Sequence, residues 1–322
     1  MNLFKNILYL SESAVAQEAS IMRAVSLAEN NQADLTVIDV VPVMTAGIGM
    51  PRGGPISKEL QAATVNEHRK RLESLIEPYK KRLRIQVDVL VGRKFLQVTR
   101  TILRNDHDLL IKPAENPRFI ERLFGSDDMQ LLRNCPCPVW LTRANEKSKY
   151  EHILAAVDFD PDTPDATEQG LNRQILGLSG SLAFSDFAAL HAIHVWDAPA
   201  EAMLRTWADN PRAASTAYVE AVRSSHEIAY KRLRQQLIEH VGKDASDYLS
   251  PVFHIRRGAA ATVIPEIAKE LQADLVVMGT VARTGIAGLL IGNTAEAILE
   301  QLQCSVLAVK PPGFVSPVKL SR

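Results

Sequence analysis

The stretch VVMGTVARTGIAGLLIGNTAE, Val276 to Glu296, decides the fold when it is set beside LLIKPAENPRFIERLFGSDDMQ, Leu109 to Gln130. Each begins in a short apolar run and leads into a helical pattern. Gly279, Ala282 and Gly292 stand at offsets zero, three and thirteen of the later stretch. Lys112, Glu115 and Gly125 stand at the same offsets of the earlier one. One spacing carried by different side chains reads as a duplicated phosphate-binding loop. The two copies have diverged in what they can bind.

Around each stretch the same order of elements recurs. In the first repeat the runs NILYL at 6–10, DLTVIDVV at 34–41, IQVDVLV at 85–91, DLLIK at 108–112 and PVWLT at 138–142 predict buried strands. In the second, HILAAVD at 152–158, ALHAIHVW at 189–196, PVFHIRR at 251–257, DLVVMG at 274–279 and SVLAVK at 305–310 repeat that order. Helical spacing of apolar residues predicts helices near 15–30, 58–83, 95–105 and 126–134, then near 213–240, 260–272 and 293–303. The first strands lie 146 positions apart and the loops 167 apart, so 21 extra residues belong to the second repeat. Part of them is expected in the connection PDTPDATEQGLNRQILGLSGSLAFSDF that follows its first strand.

Apolar strands alternating with amphipathic helices predict parallel sheets covered on both faces. The expected fold class is α/β, with two tandem, doubly wound, five-stranded parallel-sheet domains. They span residues 1–147 and 148–322, and the boundary falls in the polar run ANEKSKYE at 144–151. The tail after Pro311 reads as loose.

Composition narrows the function. A chain of 322 residues has room for about two domains. The net charge is zero, so no global field favours nucleic acid. Residues 1–150 carry 22 basic and 17 acidic side chains, and the remainder 15 and 20, an asymmetry that fits solvated surface. No apolar run approaches a membrane span. Ser11 and Glu12 cut short the opening apolar run, which reads as a strand and not as a signal segment. Cys135, Cys137 and Cys304 make no disulfide framework and read as buried, reduced thiols of a cytoplasmic protein.

In open α/β sheets ligands sit beyond the carboxyl ends of the strands, where the strand order reverses. Asp158, ending the first strand of the second repeat, is therefore expected to face the loop that opens at Gly279. A carboxylate there accepts hydrogen bonds from a base or a ribose. Gly279, Gly285, Gly288 and Gly292 permit close backbone approach, and Arg283 adds a positive charge. The alternative is a purely structural loop, with Asn293 as N-cap and Glu296 completing a capping box. In the first repeat Glu115, Asp127 and Asp128 would repel phosphate, and Glu12 stands where Asp158 stands in the second. The glycine- and proline-rich stretch at 45–55 reads as a mobile connection. His191 and His194, three apart on a strand, point to opposite faces and share no metal. His254 reads as a solitary structural histidine. No catalytic triad and no metal motif stands out.

These residues resemble the universal stress protein family over nearly the whole chain. The family loop G-x2-G-x9-G-[ST] is matched from Gly279 to Asn293, with Ala282 and Asn293 replacing a glycine and a hydroxyl residue. The tail motif is matched by NCPCPVWLT at 134–142 and more loosely by QCSVLAVKPP at 303–312. The resemblance implies ATP as the cofactor of the second half. It places that cofactor on Asp158, Val195, Gly279, Ala282, Gly292 and Asn293, with Arg283 of the same loop and Thr294 of the helix start as further candidate binding residues. It also implies an internal pseudo-dimer in which the last strands of the two repeats meet across an approximate two-fold. The functions it leaves open are a non-catalytic stress-resistance or regulatory role, a slow ATP hydrolase or switch, and a scaffold for partner proteins. A homodimer and an apolar small-molecule ligand remain open as well.

Overall fold

The computed structural model describes residues 3–44, 54–115, 126–143, 146–162, 165–280 and 291–320. The first repeat contributes β1 (Asn6–Leu10), α1 (Glu18–Asn31), β2 (Asp34–Val41), α2 (Pro55–Ile76), β3 (Ile85–Val91), α3 (Lys94–Asn105), β4 (Leu109–Pro113), α4 (Asp127–Asn134) and β5 (Val139–Thr142). The second contributes β6 (His152–Val157), α5 (Ala166–Asp186), β7 (Ala189–Trp196), α6 (Glu201–Trp207), α7 (Pro211–Val241), α8 (Lys243–Leu249), β8 (Val252–Arg257), α9 (Ala260–Glu270), β9 (Leu275–Gly279), α10 (Asn293–Gln301) and β10 (Ser305–Val309).

All ten strands form one sheet in the order β3-β2-β1-β4-β5-β10-β9-β6-β7-β8. Within each half every pairing is parallel, and the strand order reverses between the first and fourth strands. The halves join through β5 and β10, which run antiparallel with Trp140 opposite Leu307. This is the meeting of last strands that the family resemblance implies. A buried apolar layer lies on each face of the sheet. One is formed under α1, α2, α5 and α7, and the other under α3, α4, α9 and α10. Among the described residues no helix is long and apolar enough to cross a membrane.

The two halves are also tied by polar contacts. Arg23 of α1, buried, donates to Asp186 at 2.6 Å and to the Lys147 carbonyl at 2.8 Å, and its guanidinium lies 3.8 Å over the Tyr150 ring. Lys310 donates to the Leu132 carbonyl at 2.5 Å, at the C-terminal end of α4 where a positive charge is favoured. Arg133 pairs with Glu296 at 3.2 Å.

Five expectations need correction. First, α1 begins at Glu18 and not near Val15, because Gln17 organises the preceding loop. Its side-chain oxygen accepts from Ser11 Oγ at 3.0 Å and from the Glu12 N–H at 3.1 Å. Second, α2 stops at Ile76 and passes into a 3-10 turn, Glu77–Tyr79, where Pro78 lacks the N–H that a longer α-helix would use. Third, the extra residues of the second repeat are structured: by strand register nine lie between its first two strands, as expected of that connection but with α5 formed there, eleven lie between the next two, and one lies in α10. Those eleven allow α6 and α8 to flank α7, short helices that periodicity over long windows misses. Fourth, the tail is docked. Ser316 Oγ donates to the Asn134 carbonyl at 2.6 Å, and Lys310 lies 4.9 Å over the Phe314 ring. Fifth, His254 has a neighbour, for its Nε2 lies 3.1 Å from Nδ1 of His191. The stretch at 45–53 lies outside the described residues.

α1 ends at Gln32, which is exposed and held at φ 53°, in the left-handed region. That conformation costs a side-chain-bearing residue about 1 kcal/mol and a glycine almost nothing. Gln32→Gly is therefore expected to stabilise the fold by about 0.5–1 kcal/mol. A β-branched replacement, Gln32→Val, is expected to destabilise it. Denaturant midpoints with unchanged slope measure both.

Candidate functional site

The register of the sheet sets which residues of the two halves correspond. Tyr9 pairs with Ile111, and Ala155, which lies 146 residues after Tyr9, pairs with Val277. Ile111 therefore matches Val277, Lys112 matches Met278 and Pro113 matches Gly279. The N-caps Ser126 and Gly292 match at the same 166-residue offset. The expected match of Lys112 with Gly279 is thus one residue out of register, whereas Ala282 and Gly125 of the other two matches lie outside the described residues. The slip arises because α4 has 8 residues and α10 has 9, which sets the last strands 167 apart. In a strand, one residue changes the face. Lys112 lies on the α4 side of the sheet, whereas Gly279 lies against Leu171 of α5.

In the first half the crevice beyond β1 and β4 is filled by charge. Lys112 is fully buried, and its ammonium lies 2.5 Å from Asp128, 3.4 Å from Glu12 and 3.6 Å from Glu115. Lys94, opening α3, reaches Glu12 at 2.7 Å and Glu115 at 3.3 Å. Asp128 also accepts the Glu115 N–H at 2.9 Å, and Ser126 caps α4 by accepting the Met129 N–H at 3.2 Å. Burial pushes the Glu12 carboxyl up, but the Lys112 charge and the Lys94 hydrogen bond outweigh it and hold the group below its ordinary value. Burial likewise pushes Lys94 down, and its hydrogen bond and charge interaction with Glu12 reverse that, so it stands above its ordinary value. Three carboxylates around two ammonium groups leave no net positive charge there to attract a phosphate. The sequence pointed to the carboxylates and missed Lys94. The available signal was Lys112 itself, since a lysine inside an apolar strand demands partners.

The corresponding positions of the second half are emptied of this charge. Lys94 becomes Ala260, Lys112 becomes Met278 and Asp128 becomes Thr294. Asp158, the counterpart of Glu12, is exposed. Its backbone is fixed by Asn172 of α5, which accepts the Asp158 N–H at 3.1 Å and donates to its carbonyl at 2.7 Å. Val195 is half-buried near the end of β7. A Cβ at Gly279 would come within 2.7 Å of Leu171, so this glycine has a packing role. Thr280, fully buried, joins the two sides of the loop by accepting the Gly292 N–H at 3.0 Å, while its hydroxyl accepts from Lys310 at 3.0 Å. Asn172, Leu171 and Thr280 are supporting residues that motif reading did not reach.

Asn293 is not the N-cap of α10. That place belongs to Gly292, at φ −64° and ψ 141°, and among the described residues no side chain caps the helix. Glu296 does not complete a capping box, because it lies one position too far along and turns to Arg133. Asn293 and Thr294 are exposed in the first turn, beside backbone N–H groups suited to an anion. Ala282, Arg283, Gly285 and Gly288 lie outside the described residues. Asp158, Gly279, Gly292, Asn293 and Thr294 follow or flank the carboxyl ends of β6 and β9, at the reversal in strand order. Among the described residues no group of His, Cys, Asp and Glu is arranged to hold a metal ion.

Comparisons with known proteins agree with this architecture. The profile described as the Universal stress protein family matches residues 3–143 and again 149–310. Universal stress protein E of Salmonella typhi is 31% identical over 71% of this chain and 69% of its own length. The Universal stress protein E homolog of Haemophilus influenzae is 28% identical over 96% of this chain and 98% of its own length. The crystal structure of a protein of unknown function from Pseudomonas aeruginosa shares the fold. Its TM-score is 0.66 at 24% identity, covering 96% of this chain and 94% of that one.

The buried charge cluster makes a stability prediction. Lys112→Met, which installs the second-half residue, leaves Glu12, Glu115 and Asp128 with Lys94 alone. The expected loss at pH 7 is about 3–5 kcal/mol. In the parent, Glu12 contributes stability that is present above its unfolded value and is lost as pH falls through its depressed folded value. The deficit of the variant is therefore expected to narrow from pH 7 towards about pH 4, as the carboxylates take up protons. Urea denaturation at the two pH values measures it. A deficit that is small at pH 7, or that widens in acid, would contradict the assigned role.

Proposed function

Because the chain belongs to the universal stress protein family, we propose that it is a non-catalytic stress-response protein that binds a nucleotide, with ATP the leading candidate, in its second half. The first half serves as a structural partner whose own crevice is closed. The observation that carries this reading is the contrast between matched positions: Lys94, Lys112 and Asp128 against Ala260, Met278 and Thr294. Where the first half neutralises its carboxylates internally, the second leaves an uncapped helix start, exposed hydroxyl and amide side chains, and Asp158 across the crevice. In this reading the first-turn N–H groups of α10 meet the phosphates, with Asn293 and Thr294 beside them. Asp158 accepts from the ribose or the base, and Val195 offers its backbone. Ala282 belongs to the same proposed site through the family resemblance, and Arg283 through its charge on the same loop.

Isothermal titration of ATP with Mg²⁺ tests this on the intact chain, on Asp158→Ala and on Thr294→Asp. One binding event per chain is expected. Thr294→Asp, which restores the first-half carboxylate beside the helix start, is expected to weaken it at least about tenfold, or about 1.4 kcal/mol. Asp158→Ala is expected to weaken it less. Absence of saturable heat at millimolar ATP, or binding untouched by Thr294→Asp, would overturn the assignment.

A further inference from the structure

Six of the eight histidines lie after residue 150, and three of them line one face of the sheet. His152 on β6, His191 on β7 and His254 on β8 fall at positions of the same parity and form a diagonal stripe. His191 Nδ1 lies 3.1 Å from His254 Nε2 with the rings stacked, and the His152 ring lies 5.8 Å from that of His191. His191 is 8% exposed, and its Nε2 is buried without a hydrogen-bond partner, as is Nδ1 of His152. A hydrogen bond between two imidazoles needs one ring nitrogen as acceptor, so at least one ring must be neutral.

β8 is an edge strand, half-exposed along its length. The matched positions of the first half are Asn6, Thr36 and Asp88, so no imidazole stands at any of them. On the opposite face of β7, His194 lies 2.8 Å from His226. Its first-half counterpart is Asp39, which lies 2.6 Å from His68. The two halves thus carry the same strands with different partners at the matched positions.

We propose that the His152–His191–His254 stripe is an acid switch that loosens the β8 edge from β7, a device that the matching β2–β3 edge of the first half lacks. The charged groups facing the stripe are Arg256 on β8 and Glu270 at the end of α9. Burial, with His254 and His152 adding to it, holds His191 below its ordinary value. Burial and Arg256 do the same for His254, against the opposing pull of Glu270. Groups depressed in the folded state contribute stability that is present above their unfolded value and is lost as pH falls through it. At pH 5.5 an opened imidazole of ordinary pKa, about 6.5, is protonated roughly ten to one. Each ring that stays neutral when closed therefore favours opening by about tenfold.

Hydrogen-exchange mass spectrometry of the intact chain at pH 7.5 and 5.5, corrected for intrinsic exchange, tests the switch. Peptides covering β7 and β8 are expected to lose protection by about tenfold or more relative to those covering β2 and β3. His254→Gln is expected to reduce that difference. Parallel change in both halves, or no change in β7 and β8, overturns the proposal, as does full pH dependence in His254→Gln. Imidazole NMR titration of the unsubstituted protein stands independently of how the variant folds. His191 is expected to titrate below the ordinary histidine value, and titration at or above that value overturns the proposal.

Discussion

The pairing of β5 with β10 is the constraint on which the rest depends. Each half ends in a short, fully buried strand that would otherwise be a sheet edge, open to association with other chains. Pairing them antiparallel, around Trp140 and Leu307, converts two five-stranded sheets into one of ten and leaves β3 and β8 as its edges. It also sets the polarity of the molecule. Strands within a half are parallel, so the carboxyl ends of the two halves point in opposite directions. The two crevices therefore lie at opposite ends of the sheet, and neither can complete the other.

Freed from a shared site, the halves solve the same local problem differently. A doubly wound sheet leaves a crevice where its strand order reverses. The first half fills it with Lys112, Lys94 and three carboxylates, a cluster in which every charge is answered nearby. Such a cluster is weakly stabilising as a whole and strongly destabilising when one member is lost, which keeps it together. The second half places alanine, methionine and threonine at the lysine and aspartate positions. It secures the crevice walls by backbone means instead, through Asn172 on Asp158 and Thr280 on Gly292. The same division runs through the histidines, with a carboxylate partner for His68 and imidazole partners for His191 and His194.

The architecture was legible in the sequence because the eight inner strands declare themselves as apolar runs and the partly exposed edges β3 and β8 as runs rich in β-branched and other apolar residues. The loop was legible as a repeated pattern but was matched one residue out of register. The slip originates in the single-residue difference between α4 and α10, beyond the loop itself. The capping of α10 was misread for a related reason: Asn293 is a good N-cap residue by type, but the chain turns at Gly292. α6 and α8 escaped because seven residues span only about two helical turns, too few for a periodicity. The Lys94 link and the imidazole stripe join residues far apart in the chain, and no spacing rule brings such residues together.

The central claim is that one crevice is open to a nucleotide and the other is closed by its own side chains. A crystal structure with a non-hydrolysable ATP analogue and Mg²⁺ tests it most directly. The account predicts a triphosphate at the start of α10 with Asp158 across from it, and an unchanged Lys112–Asp128 pair in the other half. A triphosphate in the first-half crevice with that pair broken, or both crevices without the analogue at saturating concentration, would contradict it.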